Sequence, residues 1–145
     1  MTVLHRRIAP ALLLGQVAYA ALLEFAFTFL APRTGELDHT ESDPSGLLLY
    51  GLLVAAAVVG MTGGAVLLGS AKARAATPHA VRAGWLGLLS LGEAAIAIAF
   101  AGTALAGGSG PDPLIGMAGT LVAGCVAYVC CAETGSAVRR ASRQA

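Results

Sequence analysis

The sequence predicts an all-α fold, a bundle of four transmembrane helices, and three observations carry that prediction. The first is composition. Of 145 residues, 57% are hydrophobic and only 12% are charged, and the mean hydropathy is +0.76. Water-soluble domains carry about 25% charged residues, so half that share points to lipid as the solvent. The second is segmentation. The apolar residues gather into four runs, 8–31, 47–70, 83–106 and 114–132, and roughly 20 residues suffice for a helix to cross the hydrocarbon. The third is charge placement. Arg6 and Arg7 precede the first run, Lys72, Arg74 and Arg82 lie between the second and third, and Arg139, Arg140 and Arg143 follow the fourth; only Arg33 falls in the other loops. Basic residues gather on the cytoplasmic side of membrane proteins, so both termini are expected there, in a membrane of the plasma-membrane type. Residues 1–145 read as one integral membrane domain.

Taken in order, the first run has the outline of a secretory leader: a basic start at Arg6 and Arg7, an apolar stretch, and Ala18-Tyr19-Ala20 as a small-residue site. Hydrophobicity nevertheless continues to Leu30, which is the length of a span, so the segment is expected to be retained. The loop at 32–46 holds Glu36, Asp38, Glu41, Asp43 and His39. Their spacing lacks the alternating pattern of a calcium loop and reads as a solvated acidic turn. The second run contains Gly60 and Gly64, four apart, a pair of small residues that lets another helix approach closely. Thr77-Pro78 predicts an N-cap and first-turn proline for the third helix, with His79 as a surface residue. Trp85 falls where an interfacial aromatic belongs. The fourth run carries Cys125, Cys130 and Cys131, which a helical turn of 100° per residue scatters around the axis, so they read as inert thiols. Glu133 at its end is expected to reach water.

The polar residues inside the spans are the candidate site. Glu24 in the first run and Glu93 in the third have no Lys, Arg or His in any span to pair with. A charge at a helix centre costs about 2.5–3.5 kcal/mol to insert, so at least one of these acids is expected to hold its proton at neutral pH. Counted at 1.5 Å per residue from the basic ends, Glu24 lies about 24 Å along its helix and Glu93 about 15 Å along its own. Gln16, Ala20, Glu24 and Thr28 share one ridge of the first helix, and Ser90, Glu93 and Ala97 share a face of the third. Thr62, Thr120 and Tyr128 can add hydroxyls. The candidate intramembrane site is therefore Glu24, Glu93, Gln16, Thr28, Ser90 and Tyr128, with Glu93 expected as the partner of Glu24.

A formal net charge of +1 excludes a nucleic-acid footprint. No metal or cofactor site is read from the sequence, and no phosphate loop, metalloprotease helix or serine elbow is visible. Three functions fit these residues. The first is a small transport or transport-accessory protein with a protonatable intramembrane Glu site. The second is a non-catalytic structural subunit of a larger membrane complex. The third is an intramembrane enzyme acting on a lipid or isoprenoid with a protonated Glu as general acid. The expected partners are the bilayer and either further copies of the chain or a membrane complex.

Overall fold

The computed structural model describes residues 4–38, 44–106 and 112–142, with side chains described over 6–22, 25–26, 48–106, 113–140 and 142. Every element among these residues is helical. A π-helical turn at Leu4–Ile8 leads into α1 (Ala9–Asp38), followed by α2 (Pro44–Gly69), the short α3 (Ala71–Ala76), α4 (His79–Leu105) and α5 (Asp112–Ala141). Among the described residues, three stretches are long and apolar enough to cross a membrane: Leu48–Gly69, His79–Leu105 and Pro113–Arg140. At 1.5 Å per residue they span about 33–42 Å, more than the ~30 Å of a hydrocarbon core. These three helices point to an integral membrane protein.

The helices run further than the apolar runs. α1 continues to Asp38 rather than stopping at 31, and α5 continues to Ala141 rather than 132. Hydropathy marks where lipid ends, whereas a helix goes on while its backbone bonds are worth making. α4 starts at His79, before the apolar run begins at 83 and one residue after the predicted first-turn proline, with Pro78 as the N-cap at φ −54° and ψ 144°. Thr77 is not the cap of α4 that its position beside the proline predicts. Its hydroxyl donates to the Ala73 carbonyl at 2.8 Å, and its N–H donates to the same oxygen at 3.0 Å. It therefore closes α3, whose last carbonyls need donors. Ser70 opens α3 by accepting the Ala73 N–H at 3.2 Å. Arg74 folds back onto α2, its Nη1 donating to the Leu68 carbonyl and, at 3.4 Å, to that of Leu67.

α4 and α5 form the closest-packed hairpin, and the sequence makes that possible at two glycines. A Cβ at Gly116 would stand 2.7 Å from the Ala104 nitrogen and 2.8 Å from the Phe100 carbonyl oxygen; one at Gly119 would stand 2.5 Å from the Phe100 ring. α1 and α2 form the second hairpin. α2 meets α4 where Gly63 receives the Trp85 ring and Gly64 receives Leu89, whereas a Cβ at Gly60, the other member of the predicted pair, would meet nothing within 4 Å. Trp85 Nε1 donates to the Gly60 carbonyl at 3.1 Å.

The core gathers at the basic end of the bundle. Ala9 and Leu13 of α1, Met61, Ala65 and Leu68 of α2, Leu86 of α4, and Val126, Val129 and Cys130 of α5 pack together. Arg82, Leu86 and Glu93 recur along one stripe of α4 and are buried, the spacing that brings side chains onto one helical face. Towards the opposite end, Ile98, Leu105 and Leu114 are exposed, as lipid-facing residues are. Glu93 sits where the packed half gives way to the open half.

Candidate functional site

Glu93 is 1% exposed. Its partner is Gln16 of α1, whose Nε2 donates to Glu93 Oε2 at 2.9 Å. The pair joins helices 77 residues apart in sequence. Two acceptors remain: Glu93 Oε1 and Gln16 Oε1 are buried and neither has a hydrogen-bonding partner. The pair therefore has acceptors in excess of donors. An ionised carboxylate only accepts, while a protonated one brings an O–H donor of its own. One proton is the smallest change that would reduce this deficit.

The other polar residues distribute around this pair. Ser90, one turn before Glu93 on α4, donates to the Ala127 carbonyl of α5 at 3.0 Å. Thr120 donates to the Gly116 carbonyl at 2.7 Å, with the Ala97 carbonyl of α4 at 3.4 Å. Both hydroxyls tie α4 to α5 or to their own helix rather than facing Gln16. Thr62 donates to the Val58 carbonyl at 2.7 Å on an exposed face, and Tyr128 is 66% exposed, so neither belongs to the polar seam. The side chains of Glu24 and Thr28 lie outside the described residues, as do those of Glu36, Asp38, His39, Glu41 and Asp43 in the acidic turn. Along α1, Glu24 stands about 12 Å beyond Gln16.

Two apolar clefts flank the pair. One, of about 310 Å³ between α2 and α4, has Ala56, Gly60, Met61, Leu88 and Ile96 in its walls and Glu93 as its acidic member. The other, of about 560 Å³ between α1 and α5, is walled by Leu12, Phe100, Ile115 and Val122, with Gln16 and Tyr19 as its polar members. Exposed residues such as Leu88 and Ile115 form their rims, so both clefts open sideways from the bundle. The hydrogen-bonded pair thus stands between two grooves, one partner contributing to each.

Two buried charges were not singled out by the sequence reading. Glu133, expected at the water, is 5% exposed, and Arg82 is buried to the same extent. The Glu133 carboxylate accepts from the Ser136 hydroxyl at 3.3 Å. His79, expected on the surface, is half-buried in the same region. The reason is common to all three: α4 begins before 83 and α5 ends after 132, so these residues lie inside helices that pack together. The helix start that Thr77-Pro78 predicts already brings Arg82 into α4, on the stripe of Leu86 and Glu93. The three cysteines differ in environment, with Cys130 buried, Cys125 half-buried and Cys131 exposed.

No protein-family model matches this chain, and neither does any curated protein or any solved structure.

Proposed function

We propose that this is a small membrane protein of the transport or transport-accessory kind, with four spans and both termini in the cytoplasm, in which Glu93 and Gln16 form a protonatable polar element. The observation that carries the reading is the buried Gln16–Glu93 pair with one acceptor oxygen left over on each partner. Glu93 holds a proton in the resting state, because the O–H gives the pair the donor it lacks. Ionisable residues within spans mark ion and substrate paths by default. The clefts on either side supply what a lipophilic molecule with one hydrogen-bonding group requires: apolar walls, lateral access from the bilayer and a single polar contact. α1 is the fourth span, and the eight-to-one placement of basic residues supports the orientation.

The test is proton movement in proteoliposomes loaded with a pH-sensitive dye, with Glu93→Gln and Glu24→Gln as variants. The wild-type chain should relax an imposed pH gradient faster than empty liposomes, and Glu93→Gln should remove the excess. Equal rates in wild type and both variants would sink the reading.

A structural-subunit role is favoured by a different observation. Gly84 and Gly92 of α4 and Gly124 and Gly135 of α5 have open space where a Cβ would stand, which leaves small-residue positions available to a neighbouring helix. Extraction in mild detergent distinguishes the two: a stoichiometric membrane partner supports the subunit role, and a lone monodisperse bundle opposes it.

A further inference from the structure

Four elements converge at the basic end of the bundle on a polar pocket of about 320 Å³. Arg6 comes from the turn before α1, Arg74 from α3, His79 and Arg82 from the start of α4, and Glu133 and Arg140 from the end of α5. With His79 neutral, four guanidiniums face one carboxylate, so the pocket keeps a formal excess of three positive charges. Exposed basic residues at a membrane surface are ordinary. A buried one is not, and Arg82 is 5% exposed with its Nε lacking any hydrogen-bonding partner. Leaving such a donor buried and unused is costly. The first turn of α4 adds to the field, since its N–H groups precede any intrahelical acceptor and the helix presents its positive end there.

We infer that this pocket is a binding site for a phosphate group, with Arg82 as the buried donor at its floor and Arg140 as a donor at its rim. Guanidinium is the cation suited to phosphate because its planar fork gives paired hydrogen bonds to two oxygens. Glu133 accepts from Ser136 and is the single carboxylate among the guanidiniums that line the pocket, which therefore stays formally positive. Two sources carry the same chemistry. One is the headgroup of an anionic phospholipid, which basic pockets at the inner ends of membrane helices are placed to receive. The other is a soluble phosphate compound arriving from the water. The site is separate from the Gln16–Glu93 pair, and the inference stands without the transport reading.

The experiment uses the full-length protein purified in a non-ionic detergent. In one arm, native mass spectrometry compares retention of phosphatidylglycerol and phosphatidylcholine from an equimolar mixture. In the other, the delipidated protein is titrated with inorganic phosphate, with chloride at equal ionic strength as control, and the emission of Trp85 is followed. A preference for phosphatidylglycerol identifies the lipid source, and a phosphate response without lipid preference identifies the soluble one. Arg82→Gln should weaken whichever is observed by about tenfold or more, the loss expected for one charge-assisted hydrogen bond. Arg140→Gln, at an exposed position, should weaken it without unfolding the bundle, so the test survives if Arg82→Gln does not fold. Lys72→Gln, an exposed cation outside the pocket, should leave it unchanged. Absence of both responses in the wild type overturns the inference. So does an equal loss in Lys72→Gln, or an undiminished response in Arg140→Gln.

Discussion

A double-mutant cycle on Gln16 and Glu93 gives the most direct measure of what the buried pair contributes. Gln16→Leu keeps the volume nearly unchanged but removes the Nε2–H that reaches Glu93 Oε2 at 2.9 Å. The carboxyl group, 1% exposed, then has no donor from α1, and leaving a buried polar group unsatisfied costs about 1–3 kcal/mol. Glu93→Leu does the converse, stranding the Gln16 amide in an apolar seam at a similar cost. The double Leu variant removes both polar groups and leaves a seam of side chains like those around it, so it should lie closer to the wild type than the sum of the single variants. Interhelical hydrogen bonds in lipid average about 0.6 kcal/mol and reach about 1.7 kcal/mol. The expected coupling is of that size, a factor of about three to nearly twenty in the unfolding equilibrium. Equilibrium unfolding in mixed micelles, driven by an anionic detergent and followed by far-ultraviolet ellipticity, measures all four corners of the cycle. A coupling within about 0.3–0.5 kcal/mol of zero, the scatter of independent sites, would show that the two side chains do not depend on each other and refute the geometry on which the functional reading rests.

Other expectations follow from particular contacts. Gly116→Ala sets a methyl group 2.7 Å from the Ala104 nitrogen; backbone cannot yield as a side chain can, so it should destabilise by about 1–3 kcal/mol. Gly124→Ala, which meets nothing within 4 Å, should be neutral or slightly stabilising in the same mixed-micelle unfolding measurement. Trp85 is the one tryptophan of the chain, so its emission reports the α2–α4 crossing. Gly63→Ala, whose new Cβ would stand 2.7 Å from the ring, should shift that emission, and an unchanged spectrum would contradict the crossing. Alkylation by a membrane-permeant maleimide should modify exposed Cys131 first and buried Cys130 last, as peptide mapping of partly labelled protein would show; the reverse order would mean that α5 is rotated about its axis. A C-terminal fluorescent-protein fusion should glow and a C-terminal alkaline phosphatase fusion should be inactive, while the opposite pair of results would reverse the orientation.

How far the sequence reveals the site depends on which physical quantity each residue reports. Hydropathy reports solvent, and it located three helices that can cross a membrane. It does not report where a helix ends, because charged residues join a helix readily once its backbone bonds are running. The apolar runs therefore stop at 83 and 132, while His79, Arg82 and Glu133 lie beyond them in stretches of α4 and α5 that still pack. Gln16 shares its ridge of α1 with Glu24, and the rarity of an acid within a span makes Glu24 the more conspicuous of the two. Counting residues from the helix starts does not settle the partner, because the helices begin at different levels. The hydrogen bond between Gln16 and Glu93 sets those two residues at one level, and Glu24 stands about 12 Å further along α1. Chemistry agrees with depth: an amide can both donate to a carboxyl group and accept from it, whereas two carboxyl groups must share a proton before either can donate. In a span without a cation, the natural partner of an acid is therefore a nearby amide at matching depth, and the acceptor left over on each side is where a proton or a ligand hydroxyl would enter.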